Sequence, residues 1–151
     1  MNLKKCTNNE IREEFISRFK LREGLLLNTS RKTSEHIIAF FQTISLDVES
    51  FVITYLNGQN RLIDTELLFT GTVNTAAIYP RIVIENIINK KAVGIILAHN
   101  HPSGSLTPSS SDRVITEKIK TACKSIDVDL LDHIIIGKGL DYYSFADSMI
   151  L

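Results

Sequence analysis

A chain of 151 residues with 44% apolar and 23% charged side chains has the size and composition of one globular domain, which excludes a disordered chain. Seventeen basic residues balance seventeen acidic ones, so no global field gathers nucleic acid, and no apolar run approaches the ~20 residues of a membrane-spanning helix. The two cysteines, Cys6 and Cys123, are far apart, and the amino terminus turns acidic where a signal peptide would be apolar. Both features point to a reducing cytoplasm and exclude a cysteine-rich zinc site. Residues 1–32 carry eight Lys/Arg against four Glu, an excess read as solvated surface.

From Asn8 to Lys20, Ile11, Phe15 and Phe19 recur every four residues and predict an amphipathic helix. A second helix is expected from Ser34, carrying Ile37, Ile38, Phe41 and Ile44. Residues 1–45 are thus read as a helical N-terminal extension and 46–151 as the main domain. Phe51 to Leu56 and Arg61 to about Phe69 read as strands joined at Asn57-Gly58, a hairpin signal. Pro80 opens a helix whose expected buried stripe is Val83, Ile84, Ile87 and Ile88. Val93 to Ala98 is an apolar, β-branched run of a strand buried on both faces. A helix is expected from about Ser109 to Ser125, with Ile115, Ile119, Ala122 and Ile126 inward. Leu130 to Ile136 and Tyr142 to Phe145 would form a closing strand pair. Strands alternating with helices argue for an α/β domain.

The chemistry concentrates in HNHPSGSLTPSSSD, which starts at His99. Side chains on a strand repeat every two residues, so His99 and His101 project on the same side and can share one metal ion. Asp112 follows at a helix start. Two His and one Asp are the three-ligand set that catalytic zinc favours, with the fourth position left to water. A hydrolase of this kind also needs a base. Glu66, a carboxylate inside the apolar stretch ELLFTGT, is preferred over Glu85 on the following helix. Ser109 and Asp112 alone spell a capping box, SxxD. Adjacent residues on a strand face opposite ways, so Asp132-His133 is not an acid–histidine pair, and His133 is read as structural. The GxSxG elbow of a serine hydrolase is missing.

HxHP followed by SxxD resembles the JAMM metalloprotease motif, and the chain is most similar to the bacterial RadC proteins. LIDTELLFTGT, Pro80-Arg81 and LLDHIIIG with Tyr143-Ser144 behind it carry the resemblance over roughly residues 30–147. It implies an α/β fold of JAB/MPN type, cytidine-deaminase-like, with a mixed sheet flanked by helices. It further implies zinc on His99, His101 and Asp112, Ser109 helping to hold an oxyanion, and Glu66 as acid/base in peptide or isopeptide hydrolysis. Asn100 stands where deubiquitinase-like members have Ser or Thr, so ubiquitin-like substrates are not implied. The short leader lacks the helix-hairpin-helix that full-length RadC proteins carry. An alternative reading is a DNA-repair-associated nucleic-acid or protein-binding module with a structural zinc site, and the zero net charge counts against nucleic acid. The Tyr142–Phe145 edge could pair with a second copy of the chain.

Overall fold

In a computed structural model, the chain is described at Thr7, Glu10, Ile11 and Glu14 and over residues 24–71 and 78–151. Glu10, Ile11 and Glu14 are helical, and the rest of the expected Asn8–Lys20 helix lies outside the described residues. The elements in order are α1 (Ser30–Phe41), β1 (Ser50–Leu56), β2 (Leu62–Thr70), α2 (Pro80–Lys90), β3 (Gly94–Asn100), α3 (Ser110–Lys124), β4 (Asp129–Ile136) and β5 (Tyr142–Ser144). The five strands make one mixed sheet in the order β2-β1-β3-β4-β5. Only β3 and β4 run parallel, joined through α3. The remaining pairs are antiparallel.

The sheet separates two apolar layers. Phe51, Ile53, Tyr55, Ile95 and Leu97 meet Val83 and Ile87 of α2 and Ile115, Ile119 and Cys123 of α3 on one face. On the other, Val52, Leu56, Ile96, Ala98 and Ile134 meet Ile37, Phe40 and Phe41 of α1. Each face uses alternate residues of the same strands, as a pleat with period two requires. β1 and β3 lie inside the sheet under both layers and are buried at every position. Their largely apolar character follows from that place. α1 is therefore a packed layer of the fold.

Three local expectations are corrected. α1 begins at Ser30, because Thr29 Oγ1 accepts the Lys32 amide (3.2 Å) and caps it. Ser34 sits inside the helix, where its hydroxyl bonds back to the Arg31 carbonyl (2.9 Å). Ile44 falls beyond the last turn. In α2 the buried stripe is Val83 and Ile87 with Ile84 at its margin, while Ile88 turns outward and is 60% exposed. The third correction is Val93, which precedes β3 and is exposed; the strand runs on past the apolar residues through His99 and Asn100, paired with β4 at Ile135 and Ile136. The Asn57-Gly58 hairpin forms as expected, with Asn57 Oδ1 accepting the Gln59 and Arg61 amides.

Candidate metal centre

The carboxyl end of β3 meets the amino end of α3. His99 and His101 leave β3 on the same face, with Nε2 atoms 2.9 Å apart. Asp112, in the first turn of α3, reaches both: Oδ1 is 3.2 Å from His99 Nε2 and Oδ2 is 3.3 Å from His101 Nε2. The capping box fixes this carboxylate. Ser109 N–H donates to Asp112 Oδ2 (2.7 Å), and Asp112 N–H donates to Ser109 Oγ (3.1 Å). SxxD therefore serves as helix cap and site scaffold at once. The Ser109 hydroxyl accepts in the cap and keeps its own proton to donate into the cleft.

A fourth group completes the set. Glu49, the residue before β1, brings a carboxylate oxygen to the same point, and the ligand atoms of Glu49, His99, His101 and Asp112 all lie within 4.8 Å of one another. The pairing explains why. Phe51 stands opposite His99 in the antiparallel β1–β3 register, so Glu49, two residues earlier and on the same face, comes to the level of His101.

The hydrogen bonds behind the histidines have one polarity. A carbonyl can only accept, so the Thr116 hydroxyl donates to Asp112 O (2.5 Å) and must accept from His133 Nδ1 (2.6 Å). His133, which burial holds neutral and well below the ordinary imidazole range, then has no proton on Nε2. It accepts from His99 Nδ1 at 2.8 Å. His101 Nδ1 likewise donates to the Ser105 carbonyl (2.6 Å). Both imidazoles are left with a lone pair on Nε2, facing each other and the Asp112 carboxylate. Phe51 stacks on His99 (centroids 6.0 Å apart) and Phe145 on His133 (4.8 Å), which locks the ring planes.

Three electron-pair donors this close, without protons between them, fit a shared cation. In its absence the pocket attracts protons: the hydrogen bond with Asp112 raises His101 above its ordinary value. Burial opposes ionisation of Asp112, but its contacts with His101 and then His99 outweigh it and hold this carboxyl well below the usual carboxylate range. The pocket opens into a cleft of about 400 Å³ lined by Glu49, His101, Pro102, Ser109 and further Ser and Thr side chains of the loop after His101 and the first turn of α3.

Glu66 is elsewhere. It pairs with Ile53 and so shares the row of Leu97, two strands across and two residues down from His99, roughly 12 Å between Cα positions by sheet spacing. Its carboxylate accepts from Tyr55 Oη (2.5 Å) and Asn86 Nδ2 (3.2 Å) and lies 3.4 Å from Lys90 Nζ. A carboxylate within an apolar strand does have a structural partner set, under α2. Glu85 is exposed on that helix. Sequence reasoning missed Glu49, whose signal was the alternation Glu49-Phe51-Ile53-Tyr55, and the contact of His133 with His99. His133 and Asp132 do face opposite ways: Asp132 accepts from Ser144 Oγ (2.6 Å) on the α1 side.

A mixed α/β sheet with a His/His/Asp/Glu cluster at a strand end defines a candidate metal-dependent JAB/MPN-type protein. The family described as RadC-like JAB domain matches residues 28–150, and the chain belongs to it. Among curated relatives it is 48% identical to a UPF0758 protein of Actinobacillus pleuropneumoniae over 66% of this chain and 44% of that one. Identity is 36% to the UPF0758 protein LL1007 of Lactococcus lactis, covering 99% of this chain and 73% of the relative. It is 41% to the UPF0758 protein YeeS of Escherichia coli, covering 85% and 84%. The chain spans less than half the length of the Actinobacillus protein.

Proposed function

We propose that the chain is a zinc-dependent hydrolase of JAMM type that cleaves a peptide or isopeptide bond. The observation that carries the reading is the convergence of His99, His101, Asp112 and Glu49 at the floor of an open cleft, with both imidazoles presenting Nε2. Membership of the JAB family, which includes metalloproteases, supports it. His99, His101 and Asp112 would hold the ion, and when bound it supplies Lewis acidity and lowers the pKa of water to about 7. The chain's own groups do the rest. Glu49 takes a proton from the attacking water and returns it to the leaving nitrogen. Ser109, exposed at the α3 amino end, donates a hydrogen bond from its hydroxyl to the carbonyl oxygen as charge builds there and keeps its proton. A peptide or protein is the partner, and the two cysteines fit work in a reducing, cytoplasmic setting. Among the described residues no helix is long and apolar enough to cross a membrane.

The test is turnover of a mixed peptide library by the zinc-supplied protein, read by mass spectrometry. Cleavage that Glu49→Gln lowers by at least about 100-fold, Asp112→Asn abolishes and Glu66→Gln spares supports the reading. A zinc-loaded protein that cleaves nothing in the library counts against catalysis and favours a structural role for the site.

A further inference from the structure

His99 and His101 face the cleft, so the residue between them faces the other way. Asn100 is 1% exposed, on the α1 side of the sheet, and every polar atom of its side chain is used. Its Oδ1 accepts the Ser50 amide (2.7 Å), and its Nδ2 donates to the carbonyls of Leu46 (3.2 Å) and Val48 (3.1 Å). These three partners flank Glu49. Val48 lies immediately before it and Ser50 immediately after.

We infer that Asn100 is a positioning residue that clamps the backbone on both sides of Glu49 and so holds that carboxylate over the metal pocket. The inference rests on the role given to Glu49 above. The segment needs such a hold. Residues 42–49 carry the chain from the end of α1 to the start of β1, and Asp47 and Val48 are exposed. The Glu49 carbonyl accepts from Gly71 N–H (2.8 Å) on the β2 side, and Asn100 supplies the opposing grip from β3. One strand thereby fixes both halves of the site: its odd residues present the imidazoles, and its even residue sets the base.

The side-chain chemistry is specific to a primary amide. Two carbonyls and one amide need two donors and one acceptor at fixed spacing, which Asn provides in a single plane. Ser or Thr has one proton and can satisfy only one of the carbonyls. Asp keeps the shape and has no donor, so it would set a carboxylate against both carbonyls.

The experiment compares Asn100→Ser and Asn100→Asp with the parent protein, all zinc-loaded, by site-resolved amide hydrogen exchange, zinc content and peptide turnover. The expected result is exchange at Ser50 faster by on the order of tenfold or more in both variants, with exchange in the Ile95–Ala98 strand and zinc content unchanged. In turnover, kcat falls on the order of 10–100-fold with KM little changed. Adding Asn100→Ser to Glu49→Gln lowers the residual rate no further, because the two substitutions remove the same contribution. Unchanged exchange at Ser50 overturns the clamp. So does a kcat like the parent's, or a double variant whose losses multiply, since a merely structural side chain acts independently of Glu49. If Asn100→Asp does not fold, Asn100→Ser carries the comparison. Full turnover by Glu49→Gln alone would instead sink the role given to Glu49, and the Ser50 exchange would still decide whether Asn100 grips the segment.

Discussion

Replacing Thr116 by Val removes one hydroxyl 2.6 Å from His133 and reaches the candidate metal centre without touching any of the side-chain atoms that would hold the ion. Valine keeps the shape of threonine. The Asp112 carbonyl retains its α-helical partner, the Thr116 amide, so α3 itself loses little. His133, fully buried, is left with an N–H on Nδ1 and no acceptor, a cost of about 1–3 kcal/mol. The cheapest relief moves the proton to Nε2, where it points at His99 Nδ1. His99 must then accept there and carry its own proton on Nε2, the atom that faces the metal pocket. Loss of an outer hydrogen-bond partner of this kind costs about 10–100-fold in metal affinity, or roughly 1.4–2.7 kcal/mol. Competition against a chromophoric chelator measures the affinity, and nitrogen-15 spectra of the imidazoles report the tautomers directly. The expected outcome is weaker zinc binding together with a changed His99 tautomer in the metal-free variant. Parent-like affinity with the parent tautomer would refute the one-way chain from Asp112 O through Thr116 and His133 to His99.

Glu49→Gln should lower peptide turnover by at least about 100-fold and leave folding intact, whereas Glu66→Gln should keep turnover and lose about 1 kcal/mol of stability at its Tyr55 and Lys90 contacts, read by denaturant titration. Metal-free protein should gain stability from the His101–Asp112 pair only within a window. Asp112 is lowered, so its contribution is present above its ordinary 3.8 and lost as pH falls through the folded value. His101 is raised, so its contribution is full below its ordinary 6.5 and lost as pH rises through the folded value. The pair therefore favours the metal-free fold most between about pH 4 and 6.5. Zinc loading should move the optimum upward, since the ion needs His101 unprotonated. Thermal unfolding against pH with and without zinc checks this, and coincident profiles would contradict it. Ile37→Ala, at a fully buried position where α1 meets the sheet, should cost about 2–5 kcal/mol, and a loss below 1 kcal/mol would mean that α1 is not part of the core.

The strands and the clustering of His99, His101 and Asp112 were legible because their signals are local. An apolar run ending in HxHP states a buried strand with two imidazoles on one face, and SxxD states a helix start whose carboxylate turns inward. Glu66 and Glu49 show where locality ends. Both carboxylates lie on the face of the sheet that His99 occupies, and what separates them is the register of β1 against β3 and a bulge between β1 and β2. Register is a relation between distant segments, and the hydrophobic pattern of either strand alone does not carry it. The same holds for His133. Its alternation with Asp132 correctly placed the two on opposite faces, but its contact with His99 needed the parallel pairing of β3 with β4. The start of α1 was a different kind of miss: Thr29 and Ser34 both have cap chemistry, and the burial of Thr33, Ser34, His36 and Ile37 places Ser34 inside the helix and leaves the cap to Thr29.

The most direct measurement of the central claim is zinc stoichiometry by elemental mass spectrometry on protein supplied with zinc and then desalted, beside His99→Ala and Asp112→Asn. The account predicts about one zinc per parent chain and loss of the metal in both variants. A parent protein that retains no zinc, or variants that retain it as the parent does, would contradict a metal centre built on His99, His101 and Asp112.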